Sequence, residues 1–110
     1  MPASVDSIPS SAMQEDHVSM GWHAARKLRT AVESLRRVLA IELLTAARAV
    51  DLRAPLAPSP VSIAVIEVLR ESVPGPGPDR FLAPDIAETE ARLLDGTVLA
   101  AAENVVGQLR

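Results

Sequence analysis

The residues with the clearest capacity for chemistry fall in one run, Gln14-Glu15-Asp16-His17. A carboxylate held in a dry pocket near a cationic group can act as an acid or a base. The same residues also have a plain local explanation. Ser11 followed by Gln14 matches a capping box, in which each side chain satisfies an otherwise orphaned backbone N–H. Glu15 and Asp16 would then stand in a helix first turn, where the dipole favours anions. His17, one helical turn before Gly21, reads as a hydrogen-bonded packing histidine, and His23, beside Trp22, as a surface or interface residue. With two histidines and no cysteine, neither an all-histidine nor a thiolate metal site is expected. Glu42, alone in an apolar run, reads as a structural ion pair with Arg48 or with an arginine of a neighbouring chain. The Pro74-Gly75-Pro76-Gly77-Pro78 run is no phosphate cradle, because prolines remove the N–H donors an anion needs.

Helices must position these groups. Val18, Trp22, Ala25, Leu28, Val32, Leu35 and Leu39 step by three or four, which is one face of an α-helix. Arg26, Lys27, Arg29, Glu33, Arg36 and Arg37 occupy the other faces, with ion-pair spacing at Arg29–Glu33 and Glu33–Arg37. From Val38 to Val50 nearly every position is apolar or small, the pattern of a helix buried on all sides. The spacing predicts one helix over about 15–53, roughly 55–60 Å long at 1.5 Å per residue. A chain of 110 residues cannot wrap such a rod alone. Residues 1–10 read as an extended lead-in. Pro55, Pro58 and Pro60 end the long helix and open a short one over 61–73, with Ile63, Ile66, Leu69 and Val73 at helical spacing. The proline–glycine run is a connector, a third helix opens near Pro84 and stalls at Asp95-Gly96, and Val98, Ala102, Val105 and Leu109 form a last stripe. No alternating strand pattern and no repeat is visible, so the expectation is an all-α chain, a single helical segment over 1–110.

Composition narrows the classes further. The chain is 48% apolar, yet Trp22 and Phe81 are its only aromatics, so burial must come from closely packed aliphatic helices or from partner chains. Eleven basic residues against fourteen acidic ones give no electrostatic reason to expect nucleic acid. No segment reaches the roughly 18–20 apolar residues that span a bilayer. No basic residue precedes Arg26 and no apolar run opens the chain, so a secretory leader is not expected and a cytoplasmic setting is. Leaving 38–50 half exposed would create a patch larger than monomers tolerate, so self-association through 38–50 is expected.

The stretch Ser11 to Gly21, with Gln14-Glu15-Asp16-His17-Val18-Ser19-Met20 at its centre, closely resembles a segment of the histidine ammonia-lyases. The resemblance continues through Ala24-Ala25-Arg26-Lys27-Leu28, Val38 to Leu44, Asp51 to Leu56 and Asp79 to Ile86, and Val5 to Pro9 fits the lead-in. Phenylalanine and tyrosine enzymes of the wider group tend to read Asn-Gln-Asp-Val at the equivalent place, so the likeness points to histidine. One departure is visible, Met13 where the family commonly has asparagine. The resemblance implies release of ammonia from L-histidine to give trans-urocanate, the first step of histidine catabolism. It implies a homotetramer of long helices whose active sites are shared between chains. It assigns the catalytic carboxylate to Glu15, which would pair with the substrate's amino group or imidazole or help move a proton, and makes Gln14 a substrate-binding neighbour. The family's electrophile is a methylidene-imidazolone that an internal Ala-Ser-Gly makes by cyclising on itself. This chain contains no Ala-Ser-Gly and no tyrosine; the nearest triplet is Ala3-Ser4-Val5. The expectation is therefore a C-terminal piece of such a lyase, holding no cofactor itself and inactive alone unless an upstream piece pairs with it through 38–50. The alternative is a non-catalytic helical oligomerisation module or a relic.

Overall fold

The computed structural model describes residues 2, 11–14 and 18–109. Among these the chain is all-α, with α1 (Gly21–Asp51), α2 (Pro60–Arg70), α3 (Ala83–Leu94) and α4 (Thr97–Val106) and no strand. The expected lead-in over 1–10 falls, apart from Pro2, outside the described residues. Two compact units divide within α1, residues 1–35 and 36–110.

In the first unit the long helix begins later than its apolar spacing predicts. Residues 18–20 are not helical, and α1 starts at Gly21. The Gly21 amide donates to the Ser19 hydroxyl at 3.4 Å, and the Ala24 amide closes the first turn on the Met20 carbonyl at 2.9 Å. The serine contact is a local side-chain turn over two residues just ahead of the helix. The capping box expected at Ser11 and Gln14 does not form. Ser11, Ala12 and Met13 have φ of +52°, +56° and +70°, and the Gln14 amide donates to the Ser11 carbonyl at 3.1 Å. This is a left-handed turn, a backbone that costs an L-residue about 1–2 kcal/mol. Glu15 and Asp16 thus precede α1 and do not stand in its first turn, which holds no acid. Trp22, Leu28, Val32 and Leu35 are all more than half exposed, Trp22 by 79%.

In the second unit only one stripe of α1 is covered. Ala40 and Ala47 are buried and Leu43, Leu44 and Val50 are partly so, at helical spacing. Val38, Leu39 and Ile41, on the other faces, remain 59%, 45% and 47% exposed, so the all-round burial expected of 38–50 is not met within this unit. The core is small: Ala47, Leu69 and Val73, wrapped by Leu43, Leu44 and Ile66. Helix α2 starts where Pro60 sits in the first turn and the Ser59 hydroxyl accepts from the Ser62 amide at 3.3 Å. It packs on α4, as does α3. Gly107, at φ +84° and ψ 178°, ends α4 in an extended positive-φ conformation that glycine adopts without steric cost.

The Pro74–Pro78 connector is held by two arginines. Arg70 donates to the Val73 carbonyl at 3.2 Å, and Arg80 to the Gly75 and Pro74 carbonyls at 3.2 and 2.9 Å. Each guanidinium is itself tied to a carboxylate, Arg70 to Asp51 of α1 and Arg80 to Asp85 of α3. Arg36 of α1 reaches Glu90 of α3 at 2.9 Å, and Arg92 joins Glu71 at 3.1 Å and Glu88 at 3.3 Å. The predicted Glu42–Arg48 pair does not form. Glu42 is exposed and, among the described residues, has no ion-pair partner. A separation of six residues points the two side chains to different faces of the helix, where a spacing of three or four would bring them together.

Candidate functional site

The sequence places its chemistry at residues 14–17, and the structure describes the first of them. Gln14 closes the left-handed turn through its backbone, and it is exposed. Glu15, Asp16 and His17 lie outside the described residues. On their N-terminal side stands a turn of three L-residues at positive φ without a glycine among them. On their C-terminal side Val18 to Met20 lead into the start of α1. No repeating pattern in the sequence announces the turn, because Ser, Ala and Met have no special liking for the left-handed region.

A shallow open depression of about 790 Å³ runs along residues 23–34 in the first unit. His23, Arg26, Lys27, Thr30 and Ser34 share its wall, spaced by three or four so that they lie on one helix face. Arg29 meets Glu33 at 3.5 Å across one helical turn, as the spacing predicts. This face is cationic and rich in hydrogen-bond donors, and it suits a polar or anionic neighbour. His23 is exposed there, in line with its reading as a surface residue. Gln14 does not line the depression.

In the second unit a recess of about 370 Å³ lies beside Arg53, Leu56 and Pro58 at the end of α1. A small cavity of about 80 Å³ beneath the proline–glycine connector is walled by Arg70 and Arg80, whose donors are already spent on carboxylates and carbonyls. An apolar groove of about 190 Å³ runs between α1 and α2, past Leu43, Val50, Val61 and Ile66. The perturbed acid of this unit is Asp95. Hydrogen bonds from the Thr97 hydroxyl and the Thr97 amide, with the Arg92 charge adding to them, hold its carboxyl below the usual carboxylate range. That bond set ties Asp95 to Thr97, the first residue of α4, and gives it no reactive partner. Among the described residues no group of three or more His, Cys, Asp or Glu could hold a metal ion, and no helix is long and apolar enough to cross a membrane.

Comparison with known proteins supplies the context that the described geometry lacks. The family model described as aromatic amino acid lyase matches residues 1–71. The histidine ammonia-lyase of Streptomyces avermitilis is 63% identical over 110 residues, 99% of this chain and 22% of that protein. That of Sorangium cellulosum is 53% identical over 108 residues, 98% of this chain and 21% of the relative. Among solved structures, histidine ammonia-lyase from Trypanosoma cruzi superposes with a TM-score of 0.85 at 41% identity, covering 94% of this chain and 20% of that one. Tyrosine aminomutase from Streptomyces globisporus gives 0.84 at 36% identity, covering 99% and 21%. The chain thus spans about a fifth of the length of the relatives it matches, and corresponds to their C-terminal part.

Proposed function

The chain belongs to the aromatic amino acid lyase family, and from that premise we propose that it serves as the C-terminal portion of a histidine ammonia-lyase. The reaction is loss of ammonia from L-histidine to give trans-urocanate, in a cytoplasmic homotetramer whose sites are completed by other parts of the enzyme. The observation that carries this reading is 63% identity to a histidine ammonia-lyase across nearly the whole chain. The fold alone would not choose the substrate, since a tyrosine aminomutase superposes equally well. The choice of histidine rests on those relatives and on Gln14-Glu15-Asp16-His17.

In this reading Glu15 is the catalytic carboxylate, which pairs with the cationic substrate or moves a proton, and Gln14 is a substrate-binding neighbour. The electrophilic methylidene-imidazolone does not fit the residues present. No Ala-Ser-Gly occurs in the chain, and Ala3-Ser4-Val5 lacks the glycine whose nitrogen closes the ring. That group belongs to another segment of the enzyme. The exposure of both aromatics, Trp22 and Phe81, and of Val38, Leu39 and Ile41, fits surfaces that an upstream lyase segment or a further copy covers.

The test is urocanate formation from L-histidine with this chain co-expressed beside the upstream part of a related lyase. Product only when both pieces are present, and its loss in Glu15→Gln with co-purification intact, is the expected result. Pieces that co-purify without making product would leave a helical oligomerisation module, or a relic, as the better reading.

A further inference from the structure

The left-handed turn ahead of α1 has no explanation in its own bonding. Its hydrogen bond, from the Gln14 amide to the Ser11 carbonyl, closes equally well in an ordinary right-handed turn with negative φ. Its side chains do not require it either: Ala12 has none beyond a methyl group, and Met13 is 82% exposed. Neither carries the short polar group through which Asn or Asp steadies this backbone locally. What the left hand changes is direction, because a mirror-image turn presents Gln14 itself on the opposite side. Backbone held in a sparsely populated region at adjacent positions marks places where orientation matters to function.

We propose that Ser11–Gln14 is a strained positioning turn, in which the left-handed backbone of Ala12 and Met13 sets how Gln14 is presented to substrate in the assembled lyase. The proposal rests on the lyase reading above. Met13 is a positioning residue that acts through its φ angle.

Opposite changes at one site test it. Met13→Val puts a β-branched residue where φ is +70°, which such residues avoid. Met13→Asn discards the apolar side chain but favours the same backbone. Two quantities are read: the strong intraresidue amide–Hα nuclear Overhauser effects that positive φ produces, in the full chain, and kcat and KM for histidine in the co-expressed assembly. Strong effects at Ser11 to Met13 in the wild type and in Met13→Asn, their loss in Met13→Val, and a kcat at least tenfold lower for the valine than for the asparagine variant are expected. The loss in kcat should exceed any rise in KM, since a misaimed Gln14 would still meet the substrate but hold it in the wrong orientation. Absence of the effects in the wild type overturns the turn itself. A valine variant that loses them yet keeps its kcat overturns the positioning role, and an asparagine variant that fails with the valine one shows a side-chain contact in its place. An inert wild-type assembly whose effects are present defeats the lyase reading, and the role of the turn falls with it.

Discussion

Asp95 shows how a single residue can look reactive and be structural. It sits at the break between α3 and α4, and its carboxylate accepts from both the amide and the hydroxyl of Thr97. These bonds favour the charged form, so the folded-state value lies below the unfolded one. A depressed acid stabilises the fold above its unfolded value, and that contribution is lost as pH falls through the folded value. The Asp95–Thr97 contact at the start of α4 should therefore persist through the ordinary aspartate range and loosen only at more acidic pH. Titration of the Asp95 carboxyl carbon by nuclear magnetic resonance checks this, and a midpoint at or above that of an ordinary aspartate would contradict it. Glu42 gives the converse lesson. Its isolation among apolar neighbours looks like burial in a line of sequence, but a helix has several faces and residue 42 lies on an open one.

At the level of the helices, much of the architecture is legible in the sequence, and for identifiable reasons. Proline and glycine leave backbone signals that do not depend on the rest of the fold, so the second helix, the connector and the break at Asp95-Gly96 lie where those residues put them. The start of α1 is different. Val18 and Trp22 continue the apolar spacing of the helix, yet the backbone turns helical only at Gly21, where the Ala24 amide closes the first turn on the Met20 carbonyl. Periodicity reports which face is apolar and says little about where the first hydrogen bond closes. The left-handed turn at Ser11 to Met13 and the arginine ties such as Arg36–Glu90 carry no local signal either, since one depends on backbone hand and the other on tertiary contact. Glu15 stands out as a candidate only through likeness to a family, as its type and spacing in the sequence suit a helix first turn equally well. Packing of the elements rests on few side chains, and Leu69 is fully buried at their meeting point. Leu69→Ala should cost about 2–5 kcal/mol, read as a fall in the urea midpoint, because the small core has little with which to fill the cavity.

For the whole molecule, the balance between what is covered and what is not decides behaviour. Among the described residues the buried apolar ones are Ala40, Ala47, Leu69, Val73 and Ala101, three of them alanines, while many larger side chains stay in contact with water. A chain so composed should self-associate in solution, and light scattering at micromolar concentration is expected to report a mass above that of the monomer. Ile41→Asp should shift that mass toward the monomer without unfolding the helices, as Ile41 is 47% exposed. Leu44→Asp would be a poor probe of the same surface, since Leu44 packs against the core and its replacement would report on folding. A mass that is monomeric in the wild type would contradict this reading of the open faces of α1.

The exposure of Trp22 has an optical consequence. The chain has one tryptophan and no tyrosine, so its near-ultraviolet absorption and emission come almost wholly from a single indole. With 79% of that residue in water, its fluorescence should resemble that of the free amino acid and move to shorter wavelength when apolar surface closes over it. The molecule therefore carries a label-free gauge of its own enclosure at the N-terminal end of α1, and a tryptophan-free partner that covers this end can be followed by the emission shift alone.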